Sequence, residues 1–398
     1  MKLKDIGKIV TGKTPSTKQL ENFSELDDKY LFVTPRDMKD NCKYIESTER
    51  YLTSFVEDKF KSQIIKKDSV CISCIGSDMG KVYMINRLGI TNQQINSITD
   101  IKDICNPHYL YYYFSDKKEY LKGIASGSTM PILNKSTFEN IEIDLPARNI
   151  QDKIVKILNN IDNKIELNNQ TNDNLYEITN KLYEQLFVIE RQDDWKEYNI
   201  QELMDISNGY SYTCKELVDT SVVGMATIKN FERTGGFKEE GFKDIEPIRA
   251  KDIHYADKFD ILVACTDLTQ NADIIGNAIM LLNIGKYEKV VISMDLVKIL
   301  PKKNKYLVFS ILNSKEFKNF ALGYKTGTTV LHLNKNCFKD FHIKVPDFDK
   351  IENFEKVVET NYKKISYNLE ENNTLTQLRD NLLPKLMNGE IDLDKIEI

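Results

Sequence analysis

The sequence predicts an α+β chain of two pseudo-twofold related mixed α/β modules separated by two long antiparallel coiled-coil helices. Three observations predict it. Segments 200 residues apart repeat without a gap, each half closes in a heptad-spaced apolar run, and the stretch before each run holds short strand patterns broken by Gly-, Thr- and Asn-rich loops.

The repeat is clearest between Ser126–Pro146 (SGSTMPILNKSTFENIEIDLP) and Thr326–Pro346 (TGTTVLHLNKNCFKDFHIKVP). Gly127/Gly327, Thr129/Thr329, Leu133/Leu333, Asn134/Asn334, Lys135/Lys335, Phe138/Phe338, Ile143/Ile343 and Pro146/Pro346 are identical. Ungapped identity of this kind marks a duplication. Weaker echoes join Leu3–Gly12 to Ile200–Gly209 and Lys67–Ser73 to Phe259–Cys265.

The helices come next. Ile154, Leu158, Ile161, Ile165, Asn168, Asn172, Leu175, Thr179, Leu182 and Leu186 step by four and three. Two hundred residues on stand Phe354, Val358, Asn361, Ile365, Asn368, Asn372, Leu375, Arg379, Leu382 and Leu386. That spacing is a coiled-coil seam, in which polar Asn168/Asn172 and Asn368/Asn372 lower stability but fix register. Each helix is expected to run for roughly 40 residues, about 60 Å. The chain must return to begin its second module, so the helices are expected to be antiparallel, with the modules at opposite ends. The boundaries read 1–146 (first module), 147–190 (first helix), 191–346 (second module) and 347–398 (second helix and tail).

Composition allows two or three domains in 398 residues, 41% of them hydrophobic. A net charge of −5 disfavours a nucleic-acid binder until it is localised. The helical segments 147–190 and 347–398 hold 12 basic and 19 acidic residues, a net of −7, which leaves +2 for the modules. Pro301–Lys344 alone has nine lysines against Glu316 and Asp340, and Met1–Leu20 has five against Asp5. No apolar stretch follows the basic start, and the run Ile274–Ile284 is too short for a bilayer, so a cytoplasmic protein without membrane contact is expected. Seven scattered cysteines fit a reducing compartment.

Several motifs are set aside. Gly7-Lys-Ile-Val-Thr-Gly12-Lys13-Thr14 has phosphate-loop spacing, but too few residues precede it and Pro15 disfavours a helix at Thr14. Asn106-Pro107-His108-Tyr109 resembles a methyltransferase motif, yet reads as a helix start capped by Asn106 with Pro107 in the first turn. Cys71-Ile-Ser-Cys74 lies in a strand-like run and reads as buried strand cysteines. The four histidines lack ligand spacing with the cysteines, so no metal site and no catalytic residue is expected.

Two readers on a fixed spacer suit a split linear target, and double-stranded DNA is one. Base edges and phosphates call for loops bearing Arg, Lys, Asn, Gln, Ser and Thr. In the first module such loops offer Lys13, Thr14 and Ser16; Arg36; Ser77 and Lys81; Asn92, Gln93, Gln94 and Asn96; and Ser128 and Thr129. In the second they offer Tyr212; Lys229 and Asn230; Thr266, Thr269, Gln270 and Asn271; and Lys325, Thr328 and Thr329. The rival reading is a coiled-coil adaptor joining protein partners without DNA readout. Steep salt dependence separates the two, because only phosphate contacts require it.

The series TGKTPS, TPRDM, CIGSDMGKV, NQQINSI and SGSTMPILNK, with LRDNLLPKLMNGEI at Leu378–Ile391, resembles the specificity subunits of Type I restriction-modification systems. The resemblance spans nearly the whole chain, but in the second module Asn208–Thr213 lacks the GKTPS form and Met225–Phe231 lacks the Pro-Arg pair. It implies two target-recognition domains, each reading half of a bipartite site, and helices that set the spacing. It also implies a non-catalytic chain that docks two methyltransferase subunits, with two restriction subunits as further partners. The chain itself would hold no cofactor, and S-adenosylmethionine for adenine-N6 methylation would come with the methyltransferase subunits.

Overall fold

The structure is a computed structural model that describes all residues except 39–41, 77, 128–130, 270, 348–350 and 396–398, and the side chain of residue 394. It divides into two compact units, Met1–Lys164 with Leu375–Ile398, and Ile165–Thr374. The fold class is the expected α+β arrangement of two like-built modules and two long paired helices.

In the first unit a five-stranded sheet runs in the order Lys8–Thr11, Ile95–Thr99, Val70–Ser73, Val82–Ile85, Tyr44–Ile45, and only the last pairing is parallel. A smaller sheet contains the parallel pair Tyr30–Val33 and Gly89–Thr91. The second unit repeats both. Met204–Asn208, Leu296–Pro301, Ile261–Ala264 and Ala278–Met280 form an antiparallel sheet in the same order, and Val223–Ala226 lies parallel to Lys289–Ile292. The strands Val70–Ser73 and Ile261–Ala264 are buried at every position, which explains their largely apolar character. Cys71 and Cys74 belong to this buried region, and burial pushes their thiols up to about 12 and about 11. They are therefore protonated at neutral pH and poor nucleophiles.

Short helices follow the sheets at equivalent places, Pro107–Asp116 and Lys305–Leu312. Asn106 caps the first, its side chain accepting the His108 amide at 2.9 Å with Pro107 in the opening turn, as the sequence predicts. No helix begins at Lys13-Thr14, so the phosphate-loop look-alike lacks the element that would bind phosphate.

The long helices span Arg148–Tyr183 and Glu352–Met387, and a π-helical turn, Glu184–Ile189, ends the first. Gln151 ties the first helix to its module: it is fully buried, accepts the Asn106 amide at 2.8 Å and donates to the carbonyls of Ile104 and Pro146. Ile154, Leu158, Ile161 and Ile165 are buried along the seam, each worth about 1.5–3 kcal/mol. Within the second unit the helix pair is antiparallel. Asn168 donates to Asn372 at 2.9 Å, Asn368 to Asn172 at 2.7 Å, and Asn361 to Thr179 at 3.1 Å, so one chain position rises as its partner's falls. Adding 200 to one residue of the Asn168–Asn372 bond and subtracting 200 from the other produces the Asn368–Asn172 bond. In the first unit Arg379 meets Asp162 at 3.2 Å in the same antiparallel sense.

Candidate nucleic-acid interface

In the first module four loops converge beyond the sheet edge. The strand Lys8–Thr11 ends at Gly12, where an added Cβ would fall 2.1 Å from the Asn92 carbonyl oxygen and 2.2 Å from that of Thr91. Only glycine permits this approach. It places Thr14 against the next turn, where its hydroxyl donates to Gln93 Oε1 at 2.7 Å. The Asn92 amide donates to the Val33 carbonyl at 2.9 Å, drawing in the turn after strand Tyr30–Val33. That turn is a capping box: Asp37 accepts the Thr34 amide at 2.8 Å and the Thr34 hydroxyl at 2.7 Å, and its other oxygen takes the Glu49 amide at 2.8 Å. The fourth loop joins through Lys81, whose ammonium reaches the Met38 carbonyl at 3.4 Å and Asp78 at 3.4 Å.

The second module repeats the scaffold with other side chains. Gly209 stands where Gly12 does, and a Cβ there would lie 1.9 Å from the Ser293 carbonyl oxygen. The Ser293 amide donates to the Ala226 carbonyl at 2.9 Å, matching the bond from Asn92 to Val33. Thr227–Asn230 is again a capping box, with Asn230 accepting the Thr227 amide at 2.8 Å. Lys229 therefore occupies the place of Arg36, although no Pro-Arg pair marks it in the sequence, and both are exposed. Glu216 anchors the loop after Gly209. It accepts from the Ile248 amide at 3.0 Å, from the Tyr210 hydroxyl, and from the amide and hydroxyl of Thr213 at 2.7 and 3.0 Å. These donors, the Ile248 amide first, hold its carboxyl at about 2. Asp267 fastens the next loop by accepting the amides of Thr269, Ile274 and Ile275.

The repeated hairpins complete each module. The amides of Leu133 and Leu333 donate to the carbonyls of Cys74 and Cys265, at 2.9 and 2.8 Å. Gly127 and Gly327 both turn at φ +97°, a left-handed conformation that accounts for the glycine common to both repeats.

Among the sequence-predicted residues, Lys13, Ser16, Arg36, Gln93, Lys229, Asn271, Lys325, Thr328 and Thr329 are exposed. Thr14, Lys81, Gln94, Tyr212 and Thr269 are half-buried. Asn92, Asn96, Asn230 and Thr266 are buried. Asn96 accepts from the Thr11 hydroxyl at 2.6 Å and donates to the Leu133 carbonyl at 3.3 Å, and Asn230 donates to the Lys238 carbonyl at 2.9 Å. These two amides hold loops together from within. Thr266 pairs with His332 in the hairpin sheet. Ser77, Ser128, Thr129 and Gln270 lie outside the described residues.

The symmetry also exposes a set that sequence reasoning missed. Asn92–Gln94 corresponds to Ser293–Asp295: Leu296 donates to the Ser293 carbonyl as Ile95 does to Asn92, and Cys265 takes the Asp295 carbonyl as Cys74 takes that of Gln94. Met294 at the tip is 56% exposed. The signal available was the glycine pair, because each glycine packs against the turn it selects.

Residues 1–177 match the family described as Type I restriction modification DNA specificity domain. The first module and much of the first long helix thus resemble a Type I DNA specificity domain. Along 99% of its length it is 25% identical to the MjaIX Type I restriction enzyme specificity subunit of Methanocaldococcus jannaschii, covering 94% of that protein. It is 37% identical to the HindI specificity subunit of Haemophilus influenzae over 41% of its own length and 37% of that protein's. The crystal structure of a Type I restriction-modification S subunit from M. genitalium shares the fold, with a TM-score of 0.59 at 15% identity and coverage of 97% of this chain and 95% of that one. The chain is thus similar along its whole length to a Type I specificity subunit, and its first module matches the DNA specificity domain. Among the described residues no helix is long and apolar enough to cross a membrane.

Proposed function

We propose that the chain is the non-catalytic reading component of a Type I restriction-modification complex. Each target-recognition domain reads one half of a bipartite double-stranded site, through the loops clustered around Gly12 and Gly209. The long helices set the spacing and dock two methyltransferase subunits, which bring S-adenosylmethionine and the adenine chemistry, and two restriction subunits join the same assembly. The observation that carries this reading is the repeated cluster itself. Two modules of the same topology present the same capped turn with an exposed cation, Arg36 in one and Lys229 in the other. An exposed cation held on a rigid turn suits phosphate or guanine contact. Assigning S-adenosylmethionine to the partners is supported by the use of Asn106 in this chain: its amide caps a helix and donates to Asp152 at 2.7 Å instead of facing an open site.

The test is to co-express the chain with its methyltransferase subunits and map adenine methylation in host DNA. A bipartite methylated motif that vanishes when the chain is deleted supports the reading. Exchanging residues 191–346 for those of a relative should change one half of the motif and leave the other intact. Methylation that persists unchanged without the chain would refute it.

A further inference from the structure

The second unit encloses a cavity of ≈ 780 Å³ between the end of the first long helix, the edge strand Ala278–Met280 and helix Lys305–Leu312. The first unit shows what such a place can hold. There Tyr112, on helix Pro107–Asp116, donates to Asn159 at 2.9 Å and to Asp162. The ammonium of Lys43 lies 4.5 Å over the Tyr112 ring and 5.1 Å over that of Tyr111, and it also bonds Asn159. A lysine thus sits on aromatic faces beside carboxylate and amide oxygens.

In the second unit the duplicated position of Tyr112 is Ser310, and that of Asp162 is Tyr362. Both line the cavity. Loss of the phenol ring opens the space, and the aromatic walls remain: Phe309 and Tyr362 meet edge to face at 5.2 Å, and Tyr176 and Tyr362 at 5.8 Å. Tyr183, another wall, is buried. The lining has four carboxylates, Asp173, Glu184, Glu232 and Glu316, against the single cation Lys315. Arg191 neutralises Glu316 through contacts of 3.2 and 2.7 Å, and Lys238 reaches Glu232 at only 4.0 Å. The carboxyl of Asp173 is held above its ordinary value, by burial first and by repulsion from Glu166 second. The cavity has aromatic faces and surplus negative charge, but no counterpart of Lys43.

We propose that this cavity binds a primary alkylammonium chain, which takes the place that Lys43 fills in the first unit. Its methylenes lie against the rings of Phe309, Tyr176 and Tyr362, which offer apolar surface to an alkyl stem. Its ammonium meets Asp173 and Glu232 at the exposed rim. The chemistry is common to a free diamine and to a lysine side chain of a protein partner.

The experiment titrates the full chain with cadaverine by calorimetry, with 1-pentanol as the uncharged control. Saturable cadaverine binding is expected, with affinity at least ~10-fold above the alcohol's, since one well-placed charge contact supplies about 1.4 kcal/mol. Asp173→Asn with Glu232→Gln, both at the exposed rim, should weaken it by a similar factor. Ser310→Tyr, which restores the ring of the first unit, should abolish it. Repeating the titration on the chain assembled with its methyltransferase subunits separates the sources. Retained binding identifies a free amine as the occupant, and loss of binding identifies a partner lysine already in place. No saturable binding by the isolated chain up to ~10 mM, or binding untouched by both the rim and Ser310→Tyr variants, overturns the proposal.

Discussion

Replacing Asn368 by Leu tests whether the helix seam is held by its asparagines. Asn368 is fully buried, and its amide donates to Asn172 Oδ1 at 2.7 Å. Asn172 is itself only 5% exposed, so the variant leaves a buried carbonyl oxygen without its donor. An orphaned group of this kind costs about 1–3 kcal/mol. In a unit of this size each 1 kcal/mol lowers the melting temperature by roughly 2–4 °C, so a fall of about 2–12 °C is expected. The partner substitution Asn172→Leu should cost a similar amount. The two together should recover much of the loss, because an apolar pair in a coiled-coil seam leaves nothing unsatisfied. A double-mutant cycle measured by calorimetry reads this directly, with an expected coupling of about 1–2 kcal/mol. Additive effects, with coupling under about 0.5 kcal/mol, would show that the two amides do not depend on each other and would refute the reasoning.

Other expectations follow from the same structure. Burial, opposed by Asp162 and Asp68, lowers the Lys43 ammonium from 10.5 to about 8. Between those values the unfolded chain holds a proton that the folded chain has released, so stability should rise with pH across that window; Lys43→Met should remove that rise in melting temperature. Glu216 sits at about 2 in the folded chain against an ordinary 4.5, so its contribution is present above about 4.5 and lost as pH falls toward 2. Glu216→Gln should therefore flatten acid unfolding in that range and weaken reading of one half-site only. Arg36→Ala and Lys229→Ala should each weaken DNA binding by the assembled complex and reduce its salt slope by about 1, measured as affinity against salt concentration. Gly209→Ala forces a methyl group to within 1.9 Å of the Ser293 oxygen, and a destabilisation of about 1–3 kcal/mol should appear in calorimetry.

The long helices and the duplication were legible because they are periodic: heptad spacing and a constant 200-residue offset survive divergence of the side chains between them. The asparagine pairs were legible for the same reason. The reading loops were legible as a set and less so one by one. Asn96 and Gln93 look alike in sequence, yet Asn96 is buried in a strand flanked on both sides by other strands and Gln93 is exposed in the turn before it. The turn Ser293–Asp295 was missed because its residues share no type with Asn92–Gln94, and because loop-length differences shift the offset between modules away from 200. The anchoring carboxylates Asp37, Glu216 and Asp267 escaped notice since a search for groups that meet DNA favours cations and amides, whereas fixing a loop needs an acceptor for several amides at once.

The bonding pattern of the four seam asparagines has a consequence for how such a chain could arise. In each bond the partner of a residue is the duplicate of its neighbour four positions away: Asn168 pairs with Asn372, the copy of Asn172, and Asn368 pairs with Asn172 itself. One half of the seam is therefore complementary to a second copy of that half. Two identical half-length polypeptides would satisfy the same four amides across an isologous contact, so the ancestor needed no separate partner gene, and fusion had only to join two protomers whose interface already existed. Fusion then released each module to diverge alone, which a homodimer, bound to read a palindrome, cannot do.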